Sequence, residues 1–256
     1  MKKYTSWLFL VLVAHAVPLF PHDAWLSAKW DSTKANIIIV PLVGEAFPKG
    51  DIIKDHTRFV EPSAFLLGGK RIALASPRSD STSLGALPAA PSCVVYAGVK
   101  QREITYDEKV AWEYLTEEIG LSRDDASKFI TPGVKEFSEA YSRNLKAVIT
   151  IGKAQPKDSV IGLPLELVLL SWKDTTDGKA VVEVQLLEAG KPTANTSVRV
   201  VSKGKTTLIR TNVSGIAQVI IDTTEPVLVA YIQLKKQSES RFQSVWTNLA
   251  IYKLPE

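Results

Sequence analysis

Short apolar and β-branched runs, separated by turn-forming residues, make up the first half of the chain. Such runs lie at Asn36–Gly44, on both sides of Gly68-Gly69, at Ser92–Val99 and at Arg143–Gly152. Each has the length and composition of a β-strand, and the paired glycines predict a hairpin. The Ser-, Pro- and Ala-rich segment at 75–92 predicts a loop.

Near the middle of the chain, the spacing of the apolar residues changes from that of a strand to that of a helix. Thr105, followed by Glu108 three residues later, matches a capping box at the start of a helix. Ser122 and Asp125 repeat this pattern. The apolar positions that share one face of the first helix are Val110, Tyr114, Leu115 and Ile119. We therefore expect a small helical insert near 105–131 within a β-rich chain.

The last third of the chain alternates between apolar and polar residues in seven short strands, with Gly, Pro, Asp and Asn turns between them. This spacing predicts a two-sheet sandwich. The Gly-Lys-Pro turn at 190–192 lies between two of these strands, an order that resembles prealbumin-like and carboxypeptidase-regulatory modules. A polar segment at 153–159 precedes them. The fold class predicted is mainly β, with two β-sandwich-like domains at 17–152 and 158–256.

The first residues have the pattern of a secretory signal peptide. Lys2 and Lys3 precede the apolar run Trp7–Val13, and Ala14 and Ala16 supply small residues at a cleavage site. We expect residues 1–16 to be removed and the mature protein to be periplasmic or secreted; an uncleaved anchor is the alternative. No later run approaches the roughly 20 apolar residues of a membrane-spanning helix, so the mature chain is not expected to be transmembrane.

Composition excludes several functions. The net charge is +4 without a Lys/Arg block, which gives no electrostatic case for nucleic acid. The single cysteine, Cys93, lies in an apolar run and favours a buried strand position over a ligand or nucleophile. The sequence contains no nucleophile elbow, zincin motif, paired-Cys zinc spacing or glycine-rich phosphate loop, so we do not expect an enzyme. Glu117 and Glu118 are interpreted as a solvated helix face.

Histidine is scarce, and its placement is the main chemical signal. Of three histidines, His22 is followed at once by Asp23, and His56 lies near Asp51 and Asp55. Neutral imidazole with carboxylates suits nickel, cobalt, copper or zinc. Neighbouring side chains in a strand point to opposite faces, so His22 and Asp23 share an ion only if the segment is irregular, as an arm ahead of the first strand. The alternative is a histidine oriented by a hydrogen bond to the carboxylate.

Five short motifs, in order, resemble a bacterial periplasmic family of unknown function whose members are commonly described as the periplasmic component of cobalt or nickel uptake systems. These motifs are HDAWL at 22–26, VGEAFP at 43–48, WEYLTEEIGL at 112–121, GLPLELVLL at 162–170 and AGKPTANTSV at 189–198. The resemblance covers nearly all of the mature chain. It implies an exported binding or accessory protein that handles nickel or cobalt for a membrane metal-uptake permease.

The resemblance places the family's His-Asp pair at His22-Asp23 and its acidic position at Glu45. With His56, which the residue pattern already indicates, the expected metal ligands are His22, Asp23 and His56. The chain departs from the family because residues 17–21 still precede His22 after the expected cleavage. The free α-amino group is then lost as a ligand beside His22. The family's charged signature ahead of the last strand of the N-terminal domain is reduced to Glu139, Tyr141, Arg143 and Lys146. The alternative function is a structural or glycan-binding sandwich without metal, in which Trp25, Trp30, Trp172 and Trp246 either stack on sugar rings or pack in the core.

Overall fold

A computed structural model describes residues 22–66, 69–74 and 82–255. The predicted signal peptide at 1–16 lies outside these residues. The strands are β1 (Asp23–Asp31), β2 (Asn36–Ala46), β3 (Lys49–Ile52), β4 (Phe59–Leu66), β5 (Arg71–Ala73), β6 (Gly85–Pro88), β7 (Ser92–Asp107), β8 (Glu136–Ile151), β9 (Leu165–Asp174), β10 (Lys179–Glu188), β11 (Lys191–Pro192), β12 (Ser197–Ser202), β13 (Lys205–Arg210), β14 (Ile216–Asp222), β15 (Val227–Lys236) and β16 (Arg241–Leu254). The fold is mainly β, as predicted.

The strands form three sheets. An eight-stranded sheet has the order β13-β12-β15-β16-β8-β7-β4-β5. One four-stranded sheet has the order β1-β2-β3, with β6 also paired to β2, and the other has the order β11-β10-β14, with β9 paired to β10. The seven strands predicted in the last third of the chain are all present as β9, β10 and β12 to β16, and the hairpin predicted around Gly68-Gly69 joins β4 to β5.

The eight-stranded sheet is covered on both faces. In β7, Cys93 and Val95 pack in one apolar core with residues of β1 and β2, whereas Val94 packs in a second core with residues of β9 and β10. In β8, Ile149 and Val148 divide in the same way. Alternate side chains of a strand point to opposite faces, so a strand buried on both faces consists of an uninterrupted apolar run.

Strands from the two halves of the chain meet in the middle of this sheet. β16 pairs in parallel with β8, from Arg241 opposite Ser138 to Leu254 opposite Ile151. The predicted boundary at 153–160 coincides with the irregular segment between β8 and β9. The division into domains at 17–152 and 158–256 stays a prediction, and strands from both sides of it lie in one sheet.

The helical insert is present, and one of its two predicted caps is confirmed. Ser122 accepts a hydrogen bond from the Asp125 amide at 3.1 Å and caps α2 (Arg123–Ser127). The cap at Thr105 was predicted wrongly, because β7 continues to Asp107 and that aspartate caps α1 (Glu108–Glu113) instead. A π-helical turn at Tyr114–Glu118 follows α1. Among the described residues, no helix has the length and apolar character needed to cross a membrane.

One further prediction in the N-terminal half was wrong. The segment at 75–92 was predicted to be a loop, but β6 lies within it and pairs with β2 because Leu87 is fully buried in the core. The segment that follows His22 does not have the irregular form that a shared ion between His22 and Asp23 would require. It is strand β1, paired with β2 from Asp23 opposite Gly44 to Asp31 opposite Asn36.

Candidate functional site

His22 lies immediately before β1, beside the end of β2. Its Nδ1 atom is 3.5 Å from Oε1 of Glu45 and has no hydrogen-bond partner among the described residues. The carbonyl oxygen of His22 accepts a hydrogen bond from Nη1 of Arg143 at 2.6 Å. The His22 side chain is 28% exposed and that of Glu45 is 73% exposed. The backbone therefore holds a partly buried histidine, whose Nδ1 atom is itself buried, beside a solvent-exposed carboxylate.

Asp23 points away from this pair and into a buried ion-pair network. Its Oδ1 atom accepts a hydrogen bond from Nη2 of Arg199, and Nη1 of Arg199 donates to Oε2 of Glu118 at 3.1 Å. Burial raises the pKa of Asp23, and the neighbouring Arg199 and Arg143 oppose this effect. Arg199 thus joins the start of β1, the π-helical turn and β12.

His56 lies in a 3₁₀ turn at His56–Arg58 and is 2% exposed. Its ring packs edge-on against Phe59, with the ring centres 5.7 Å apart, and burial lowers the pKa of the imidazole. Nε2 of His56 has no hydrogen-bond partner among the described residues. The neighbouring Asp55 caps this turn by accepting a hydrogen bond from the Thr57 amide at 3.2 Å.

The predicted ligands therefore have three different surroundings. Within residues 22–66, 69–74 and 82–255, no group of three or more His, Cys, Asp or Glu side chains is arranged to hold one metal ion. His22 faces Glu45, Asp23 is bonded to Arg199, and His56 is buried in its own turn. The pair that the structure brings together is His22 and Glu45.

The central strand β8 carries three buried charged residues. Glu139 accepts hydrogen bonds from the hydroxyl groups of Tyr106, Tyr114 and Ser244. The Arg143 guanidinium lies 4.5 Å from the centre of the Trp246 ring, and burial lowers the pKa of Arg143. Lys146 lies on the opposite face and bonds the carboxylates of Asp158 and Glu166. Glu139, Arg143 and Lys146, which stand where the family has its charged signature, thus make contacts within the core of the fold.

Two members of the network around Asp23 were missed from the sequence. Arg199 lies between Val198 and Val200, both buried, so the alternation of β12 predicts a solvent-facing arginine. Glu118 was expected to be solvated, and this was wrong because its carboxylate bonds Arg199. Only the packing of the helical insert against β12 brings the two side chains together, and a local pattern does not encode it.

The aromatic residues and the cysteine belong mostly to the interior. Trp25 and Trp246 are 0% exposed, which confirms the core interpretation for these two residues, whereas Trp30 and Trp172 are partly buried. Cys93 is buried as predicted, and burial raises the pKa of its thiol to about 12. The thiol is therefore protonated at neutral pH and is not a reactive nucleophile.

Comparison with known proteins identifies a family but no function. No curated protein and no solved structure matches the chain. The family described as "Domain of unknown function (DUF4198)" matches residues 19–231, which is most of the chain and includes His22, Glu45 and the helical insert. The chain therefore belongs to the DUF4198 family of domains of unknown function.

Proposed function

We propose that this protein is an exported, non-enzymatic accessory protein that holds a divalent transition-metal ion as cargo between His22 and Glu45, for nickel or cobalt uptake. The observation that carries the proposal is that Nδ1 of His22 has no hydrogen-bond partner among the described residues and lies 3.5 Å from Oε1 of Glu45. The resemblance to periplasmic components of cobalt or nickel uptake systems supports the same function.

The spacing of the two atoms suits a shared ion. Imidazole nitrogen and carboxylate oxygen bind such metals at about 2.1 Å, and two donors at that distance with a tetrahedral angle between them are about 3.4 Å apart. The 3.5 Å separation in the protein is close to this value. Both donor types suit nickel, cobalt, copper and zinc.

The exposure of the Glu45 carboxylate suits a cargo ion better than a resident one. Two protein ligands leave the other coordination positions to water or to a second protein, and Glu45 is 73% exposed. An ion held in this way is accessible to an acceptor, for which we propose a membrane metal-uptake permease. Arg143 holds the His22 carbonyl, so the histidine is positioned before the ion arrives.

Calorimetry on the metal-stripped mature protein tests the proposal, with nickel, cobalt, zinc and copper titrated separately. His22→Ala and Glu45→Gln are each expected to weaken nickel or cobalt binding at least tenfold, and the double variant to lose little more than either, because the two residues act on one ion. Glu225→Gln, which changes an exposed carboxylate in a turn, is the matched control and should bind as the wild type does.

Two further outcomes decide the ligand set and the function. An equal loss in His56→Gln or Asp23→Asn, with the fold intact by circular dichroism, would replace the His22–Glu45 pair by the wider set His22, Asp23 and His56. The absence of any binding heat for the wild-type protein at micromolar concentrations would remove the metal function and leave a structural or glycan-binding sandwich protein.

A further inference from the structure

A cleft of about 450 Å³ lies between the helical insert and strands β12, β13 and β15. Its volume is within the range of sites for small organic ligands, roughly 300 to 1,000 Å³. Ile119, Leu121 and Phe129 line it on the side of the insert, and Leu208 and Arg210 line it on the side of β13. No part of the proposed metal function uses this cleft.

The walls of the cleft are held in place by specific contacts. Thr211, which is 2% exposed, accepts a hydrogen bond from the Thr196 amide at 3.0 Å and donates one to the Thr193 carbonyl at 2.9 Å. These bonds fix the segment that forms one rim. On the opposite rim, Gly120 has φ of +77°, and a Cβ atom there would lie 3.2 Å from Cδ1 of Leu208. The cleft is therefore formed before a ligand binds.

The charges that line the cleft are balanced except for one. Arg199 bonds Asp23 and Glu118, and Asp125 bonds Lys128 at 2.5 Å. The side chain of Arg210, in contrast, has no hydrogen bond or ion pair in the part of the chain that the structure describes. An unpaired guanidinium among neutralised charges favours an anion, and its planar fork suits a carboxylate.

Other polar groups in the cleft are also unused. The side chains of Asn195 and Ser197 line it and have no hydrogen-bond partner among the described residues. They provide donors in addition to the guanidinium of Arg210. A ligand with several acceptor atoms, such as a carboxylate, can use them together.

The remaining lining is apolar. Leu208 is 52% exposed, and Leu121, Phe129 and Leu234 also line the cleft. An exposed apolar surface rimmed by polar groups marks a binding site more often than an isolated exposed leucine does. Covering Leu208 with a ligand removes this apolar area from water.

We propose that this cleft binds a small organic anion that has one carboxylate and an apolar body. The carboxylate bonds Arg210, and the apolar body packs against Leu208 and the insert. The cleft is separate from the metal site proposed at His22, so its test uses metal-stripped protein, and a failure of either proposal leaves the other standing.

Three probes separate the two parts of the ligand: octanoate, 1-octanol, which lacks the charge, and acetate, which lacks the apolar body. Calorimetry on the mature protein is expected to show octanoate binding at least tenfold tighter than either of the others. Arg210→Gln should weaken octanoate at least tenfold and leave 1-octanol unchanged. Leu208→Asn should weaken both.

The matched control is Arg102→Gln, which changes an exposed arginine on β7 and should bind octanoate as the wild type does. The proposal is overturned if octanoate does not bind at millimolar concentration, if 1-octanol binds as tightly as octanoate, or if Arg210→Gln retains full affinity. Equal losses in Arg210→Gln and Arg102→Gln also overturn it, since they indicate general charge attraction rather than a site.

Discussion

Lys146 anchors the irregular segment between β8 and β9, and its removal is expected to be among the most damaging single changes in the chain. Its Nζ atom lies 2.9 Å from Oδ1 of Asp158 and 2.8 Å from Oε1 of Glu166, and the lysine and both carboxylates are at most 1% exposed. The same ammonium group donates to the Ser159 carbonyl at 2.9 Å. Lys146→Met keeps an unbranched apolar stem and removes the ammonium group, with its charge and its hydrogen bonds.

The expected cost follows from the two carboxylates that remain. Removing one partner of a buried ion pair costs about 3–5 kcal/mol, because the other charge stays buried without compensation. Backbone amides partly compensate here, since Glu166 accepts hydrogen bonds from the amides of Ile161, Gly162 and Leu163. We therefore expect Lys146→Met to lower the free energy of unfolding by about 3 kcal/mol at pH 7, the low end of that range.

The penalty should depend on pH. Burial raises the pKa of Asp158 even with Lys146 present. A carboxyl group with a raised pKa in the folded state takes up a proton there before it does so in the unfolded chain, so the folded state gains stability as the pH falls through the folded pKa. In Lys146→Met this uptake neutralises one of the two unpaired charges, and the penalty should shrink as the pH falls from 7 to 5.

Urea unfolding followed by tryptophan fluorescence measures the effect, with Lys153→Met as the control because Lys153 is exposed in the same segment. The control should change the unfolding free energy by less than about 0.5 kcal/mol. Adding Asp158→Asn to Lys146→Met should cost less than the sum of the two single changes. A loss below about 1 kcal/mol for Lys146→Met, or additive losses in the double variant, would refute the reasoning.

Three further outcomes are expected. Burial lowers the pKa of His56, so the unfolded chain takes up the proton first as the pH falls below about 6.5, and the free energy of unfolding drops by at most about 1.4 kcal/mol per pH unit. His56→Gln should therefore reduce the dependence of the unfolding free energy on pH, measured by urea unfolding between pH 7 and 5.5. An unchanged slope would contradict this expectation. A Cβ atom on Gly50 would lie 2.7 Å from the Val43 carbonyl oxygen, so Gly50→Ala should lower the free energy of unfolding by about 1–3 kcal/mol. The control Lys49→Ala changes an exposed neighbouring residue and should have almost no effect in thermal unfolding. Equal melting temperatures for the two variants would show that the strand adjusts to the added methyl group. After proteolytic cleavage within 153–157, the two fragments should elute together on gel filtration because β8 and β16 remain paired. Separation into two folded fragments would instead show independent domains.

The strands were predictable because burial on both faces leaves an apolar signal in the sequence. Ser92–Val99 is an apolar run because its residues face two cores. The extension of that strand to Asp107 was not predictable, since residues 100–105 are polar apart from Ile104 and mostly exposed, and β8 alone pairs with them. The parallel pairing of β16 with β8 is a long-range contact that no local period encodes.

The candidate site was predictable only in part. The scarcity of histidine drew attention to His22, and the strand period correctly indicated that His22 and Asp23 point apart. The partner that each residue contacts, Glu45 and Arg199 respectively, depends on strand register and on the packing of the insert. The spacing of residues in the sequence shows neither the strand register nor the packing of the insert. For this reason Arg199 was missed, and Glu45 was reached only through the family resemblance.

The parallel pairing of β8 and β16 also fixes the order in which the protein can be completed. A ribosome makes β8 about a hundred residues before β16, and until then one edge of β8 has no partner strand. An unpaired edge of this kind is a template for association with other chains. The edge of β8 therefore needs cover from another segment or a chaperone until β16 is in place, and the pairing that joins the two halves of the central sheet is a late step of folding.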